Sequence, residues 1–161
     1  MKILMVCLGN ICRSPLAEGI LQHKSDIAKL NWKVDSAGTS NYNIGQPPHR
    51  LSQKVALING INISNLKARQ FKKEDMLLFD KIYVMDSENY MDVKKISCEL
   101  FDEQKTDLLL NEIYPFENRT VPDPWYEKEP AYHAVFKMMN EACDAIINKY
   151  AGEVIQENFR N

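Results

Sequence analysis

The sequence predicts an α/β fold of three layers, a four-stranded parallel sheet in the order 2-1-3-4 flanked by helices. Two observations predict it. Short apolar runs alternate with helical stretches along the chain, the alternation that builds parallel sheets. The first run also leads through a tight loop straight into a helix start. Lys2-Ile3-Leu4-Met5-Val6 is rich in branched aliphatics and too short for a helix, so it reads as a buried strand. Ser14-Pro15-Leu16-Ala17-Glu18 reads as a helix N-terminus, with Ser14 at the cap and Pro15 in the first turn. Strand two is expected at 32–36, followed by a Gly-, Asn- and Pro-rich loop through Pro48. Helix two should run over about 49–59, with Leu51, Val55, Ala56 and Ile58 apolar and Gly60 as its stop. Strand three is expected at 81–85, a helix from about Ser87 and strand four at 106–110. The last helix, about 130–150, sets Val135, Met138, Met139, Ala142, Cys143 and Ile146 along one face. One domain over 1–161 is expected, with a tail from Gly152 onward that frays. In this strand order the C-terminal end of strand one lies at the switch point, where open α/β sheets bind ligands.

That end carries Cys7-Leu8-Gly9-Asn10-Ile11-Cys12-Arg13-Ser14. A strand, a tight loop and a helix start make an anion site, because their N–H groups converge on one point. Cys7 faces that point, so the loop reads as a phosphate cradle holding a nucleophile. At an ordinary thiol pKa near 8.5, only about 3 per cent of the sulfur is ionised at pH 7. Loop N–H groups, the helix start and Arg13 all favour the thiolate. A fall of about 3 pH units, or ~4 kcal/mol, would make it the resting form. Arg13 offers a planar fork for two phosphoryl oxygens at once. Gly9 lets the loop turn tightly. Ser14 can donate its hydroxyl to the sulfur, and Asn10 can brace the loop from within. Cys12 is either loop packing or a reversible disulfide partner that protects Cys7 from over-oxidation.

A leaving oxygen needs an acid. In Val121-Pro122-Asp123-Pro124-Trp125-Tyr126, two prolines fix the backbone around Asp123. A carboxyl beside Trp125 and Tyr126 is expected to be partly desolvated, which keeps some of it protonated near neutrality. It could protonate the departing oxygen and then activate the water that hydrolyses a cysteinyl phosphate. The plain alternative is an Asp-Pro turn.

The Cys7-to-Ser14 loop, Asp123-Pro124 with its aromatics and the total length resemble the low-molecular-weight protein tyrosine phosphatases. Three further segments are similar: Val34-Asp35-Ser36-Ala37-Gly38-Thr39, Lys67-Ala68-Arg69-Gln70 and Met85-Asp86-Ser87-Glu88-Asn89. The resemblance implies a phosphatase-I-like, Rossmann-like fold and metal-independent hydrolysis of phosphotyrosine through a cysteinyl phosphate. It implies Cys7 as nucleophile, Arg13 as phosphate clamp, Ser14 as donor to the thiolate and Asp123 as general acid and base. Leu8, Gly9, Asn10, Ile11 and Cys12 would complete the phosphate loop, with Asn10 and Ser36 bracing it. Tyr42 would form a cleft wall facing Trp125 and Tyr126. The chain departs from the family at Ser64-Asn65-Leu66, where a histidine that bonds the bracing asparagine is common. It departs again at His49 and Leu51, where an acidic residue and an arginine are common; both changes read as altered pinning of that loop. Trp125-Tyr126 replaces the Tyr-Tyr of many animal members.

A net charge of −2 argues against nucleic acid as a partner. No apolar span approaches 20 residues and no leader precedes the first strand, so no membrane partner is expected and the compartment reads as cytoplasmic. The four cysteines, at 7, 12, 98 and 143, lack the paired spacing of a zinc site or a disulfide framework, and no cofactor is expected. The expected partners are phosphotyrosine proteins or aryl phosphates, with inorganic phosphate as product. A cleft between aromatic walls suits a long flat aryl phosphate and leaves phosphoserine too short to reach the loop. Two other readings stand beside this one. Arsenate reduction would need a close pair of resolving cysteines after strand three, where Cys98 is alone. A silent phosphate-binding module would need the loss of Cys7, Arg13 or Asp123.

Overall fold

Alternate side chains of the first strand point to opposite faces, and this sets the layers of the molecule. In the computed structural model, which describes residues 1–158 and side chains through Gly152, β1 spans Lys2–Cys7. Ile3, Met5 and Cys7 enter one apolar cluster, and Leu4 and Val6 enter another. β2 (Lys33–Gly38) pairs with β1 from Lys2 opposite Lys33 to Cys7 opposite Gly38. β3 (Lys81–Val84) pairs with the other edge of β1, and β4 (Thr106–Leu108) pairs with β3. The sheet is parallel throughout, in the order β2-β1-β3-β4. The expected strand order is the observed one.

The larger cluster joins one sheet face to α1 (Ser14–Ile27), α2 (Arg50–Ile58) and α5 (Glu129–Asn158). Leu16, Ile20 and Leu21 of α1 meet Tyr132, Val135 and Met139 of α5 in it. The smaller cluster packs Met76 of α3 (Asp75–Leu78) and Val93 of α4 (Ser87–Ser97) on the opposite face. No helix among the described residues is long and apolar enough to cross a membrane.

The differences from expectation are local. Ser14 is the first helical residue rather than the cap; Arg13 holds the cap position and no side chain caps the helix. The Ser14 hydroxyl is instead engaged beside Cys7. Ile58 ends α2 exposed, because the chain turns at Gly60 (φ 78°) and returns Ile61 to the core in its place. Strand four stops at Leu108, opposite Val84 at the end of β3, and Leu109–Glu112 closes as a 3-10 turn. The short α3 had no signal in apolar period: the Asp75 carboxylate accepts from Lys72 N at 2.8 Å and from Arg69. Helix α5 runs past Tyr150 to Asn158, so the tail expected to fray is helical that far, and its last three residues lie outside those described.

Candidate active site

The loop between β1 and α1 is held between the chain that leaves β2 and the start of α2. Thr39 N donates to Cys7 O at 2.9 Å and Ser40 N to Leu8 O at 3.0 Å, so the chain leaving β2 is stitched to the loop. A β-carbon on Gly38 would stand 2.7 Å from Leu8 O and 3.1 Å from Asn10 N, so only glycine lets β2 pass this close. On the far side His49 N donates to Ile11 O at 2.7 Å, and Ser52 Oγ to Cys12 O at 3.0 Å.

The Cys7 sulfur is buried. Asn10 N donates to it at 3.3 Å, and Ser14 Oγ lies 3.1 Å away. Asn10 has a left-handed backbone (φ 57°), which Asn tolerates better than most residues. Its side-chain Nδ2 donates to Ser14 Oγ at 2.8 Å and to Ser36 Oγ at 2.9 Å, while its Oδ1 accepts from Arg69 N at 3.0 Å. Ser14 therefore keeps its own hydrogen for the sulfur, or for Ala37 O at a longer 3.4 Å. Where the sequence has Asn65-Leu66, the backbone of Arg69 supplies the donor to Asn10.

Arg13 is 3 % exposed. Its Nη1 donates to Asp86 Oδ2 at 2.7 Å and to Val121 O at 3.0 Å; its Nη2 lies 3.6 Å from Asp123 Oδ2. Burial opposes its charge, but Cys7, Asp86 and Asp123 more than offset this and raise its pKa above the ordinary value. Cys12 is buried 3.7 Å from the Tyr132 hydroxyl, and desolvation pushes its pKa up to about 12, so it is held as a neutral thiol. All four cysteines are free.

Cys7, Leu8, Gly9, Ile11, Cys12 and Arg13 floor a cleft of about 320 Å³ whose walls are Tyr42, Asn43, Asp123, Trp125 and Tyr126. Asn10, Ser14 and Ser36 sit behind the loop. A wider groove of about 700 Å³ follows the β4 edge and touches none of these residues. The Asp123 side chain is 43 % exposed, so the expected desolvation is absent. The neighbouring aromatics cannot shield it: Tyr126 is 94 % exposed, and Trp125 leans edge-on against His49 at 5.5 Å. Asp123 Oδ1 accepts from Trp125 N at 3.1 Å, which fixes the turn. His49 also stacks on Tyr132 at 5.2 Å. Burial and Arg50 lower its pKa, and its Nδ1 accepts from Leu51 N at the head of α2, so the neutral ring ties α2 to the Trp125 wall.

Two carboxylates escaped the sequence reading. Asp86 caps α4 with one oxygen, accepting from Asn89 N at 2.8 Å, and holds Arg13 with the other. Its signal was an Asp directly after strand three, which the strand order sets beside strand one. Glu18, one turn beyond Ser14, accepts from Ser36 Oγ at 2.5 Å. Asn43, at 3.4 Å from Gly9 O, had no signal beyond its proximity to Tyr42.

Residues 2–158 match the family model described as low molecular weight phosphotyrosine protein phosphatase. The low molecular weight phosphotyrosine protein phosphatase of Homo sapiens is 37 % identical over 150 residues, covering 92 % of this chain and 94 % of that one. The crystal structure of a protein tyrosine phosphatase from Entamoeba histolytica superposes with a TM-score of 0.87 at 33 % identity, over 95 % of this chain and 98 % of that one. The Drosophila arginine phosphatase superposes with a TM-score of 0.86 at 31 % identity, over 93 % and 98 % of the two chains.

Proposed function

Because the chain belongs to the low molecular weight phosphotyrosine protein phosphatase family, and is thus a protein tyrosine phosphatase, we propose that its chemistry runs on Cys7, Arg13 and Asp123. The observation that carries this reading is the meeting of Cys7, Arg13 and Asp123 around one cleft. The Cys7 thiolate attacks phosphorus, the bond to the aryl oxygen breaks, and Asp123 gives its proton to that oxygen. Asp123, now a carboxylate, takes a proton from water as the water oxygen attacks phosphorus; the P–S bond breaks and inorganic phosphate leaves. Arg13 binds two phosphoryl oxygens with a fork already oriented by Asp86 and Val121 O. Loop N–H groups from Leu8 to Arg13 bind the others, and the Ser14 hydroxyl stabilises the sulfur each time it is the anion. Asn10 and Ser36 keep the loop in shape. Cys12, neutral and packed on Tyr132, supports the floor.

Phosphotyrosine proteins and small aryl phosphates are the substrates in this reading, since Tyr42, Trp125 and Tyr126 offer flat apolar walls at the mouth. No metal or cofactor enters the scheme. One domain over 1–161 carries it, in the cytoplasm, where reduced thiols such as these four persist. In this reading nucleic acid is not a partner, in keeping with the net charge of −2, and no helix among the described residues is long and apolar enough to cross a membrane.

The test is hydrolysis of phosphotyrosine, phosphoserine and phosphoarginine peptides by fully reduced protein with chelator present. Phosphotyrosine turnover that survives chelation and disappears in Cys7→Ser supports the scheme. Preference for phosphoarginine would reassign the substrate, and no turnover of any peptide would remove the scheme.

A further inference from the structure

Glu18 has no task in this scheme, yet it ends the hydrogen-bond chain that begins at the nucleophile. The hydrogens in that chain can be counted. Arg69 N donates to Asn10 Oδ1, so the two Asn10 Nδ2 hydrogens point at Ser14 Oγ and Ser36 Oγ. Each hydroxyl, having accepted, has one hydrogen left to give. The Ser14 hydrogen is left for Cys7 Sγ at 3.1 Å, nearer than Ala37 O at 3.4 Å, and Ser36 gives its hydrogen to Glu18 Oε2. A protonated Glu18 would reverse the second bond. Its O–H would donate to Ser36 Oγ, the Ser36 hydrogen would lose its acceptor, and the hydroxyl would rotate to find another, misaligning the bond it accepts from Asn10.

We propose that Glu18, as its carboxylate, is a positioning residue for the phosphoryl-transfer steps, acting on Cys7 through Ser36, Asn10 and Ser14; this rests on Cys7 being the nucleophile. Asp35 of β2 and Arg69 of the segment before α3 are the charged groups that face it. Burial pushes its pKa up to about 7, with Asp35 adding to the rise and the Ser36 bond and Arg69 opposing it. Arg69 is already held by Asp35 at 2.9 Å and Asp75 at 3.0 Å, which limits its help to Glu18. The chain is therefore aligned above about pH 7 and loosened below it.

The experiment measures kcat and kcat/KM for a phosphotyrosine peptide from about pH 5.5 to 8.5. It compares wild type, Glu18→Gln, Ser36→Ala and the double variant. Ratios of wild type to variant cancel the ionisations of the substrate and of Asp123. The expected ratio in kcat is roughly tenfold at pH 8 and closes towards one by pH 5.5, with an inflection near 7. The double variant should be no slower than either single one, because both break the same chain. Far-UV circular dichroism checks folding; if Glu18→Gln does not fold, Ser36→Ala carries the same pH test alone. A ratio constant with pH, or losses that multiply in the double variant, would overturn the role of Glu18 while leaving the phosphatase standing. Absence of phosphotyrosine turnover in wild type would bring down both.

Discussion

Asp123 reaches the cleft as an exposed carboxyl, and Arg13 stands 3.6 Å behind it. A general acid placed there matters in proportion to how poorly the leaving oxygen departs unaided. Asp123→Ala should slow phosphotyrosine hydrolysis by about 10²-fold or more and a nitrophenyl ester much less; equal losses measured for the two esters would remove it from the acid role. Glu18 gives a second prediction, on stability. Its folded pKa is raised from 4.5 to about 7, so the fold prefers its protonated form. That preference stabilises the protein fully below about pH 4.5 and is lost as pH rises through 7. Replacing it by a neutral amide should therefore make Glu18→Gln more stable than wild type at pH 8, by on the order of 3 kcal/mol. Urea midpoints should converge at pH 4.5, and a difference independent of pH would contradict the shift. Residues spaced closely in sequence, such as Cys7, Arg13 and Ser14, were legible because loop geometry follows from local order. Asp86 and Glu18 were not, because their importance depends on which strand lies next to which.

The elements matter through their ends. β1, α1 and β2 were legible from apolar runs and Pro15, and the sheet register then brings Gly38 level with Cys7. What the sequence hid was competition for a side chain. Ser14 has the composition of a cap, but Asn10 and Cys7 claim its hydroxyl, and the helix starts uncapped behind Arg13. Likewise α3 rests on polar bonds to Asp75 rather than on an apolar stripe. At the Gly38 crossing, even one methyl would press on Leu8 and Asn10. Gly38→Ala should leave the circular dichroism spectrum of the sheet intact yet reduce kcat/KM by about tenfold or more, because ångström-scale displacement of a catalytic loop is costly. Unchanged kinetics would show that the loop yields without loss.

Across the whole molecule, the strand order places β1 between β2 and β3, and each flank serves the loop above it. β2 leads to the stitching at Thr39 and Ser40, and β3 leads to Asp86 and, through Met85 O, to the Val121 backbone. Alternating elements made that order legible, while the path of the segment carrying Asp123 was not, since it has no periodicity. A phosphate bound among these parts ties them together and should stabilise the fold. At a hundred times its dissociation constant, inorganic phosphate adds about 2.7 kcal/mol, or roughly 5–10 °C in Tm for a chain of this size. Calorimetry should find the rise retained in Cys7→Ser and lost in Arg13→Ala; a rise that persists without Arg13 would place the anion elsewhere. The bond from Arg13 to the Val121 carbonyl also spans 108 positions of the chain. During synthesis Cys7 and Arg13 emerge long before Val121 and Asp123, so the cleft closes around them only once that later segment has folded back.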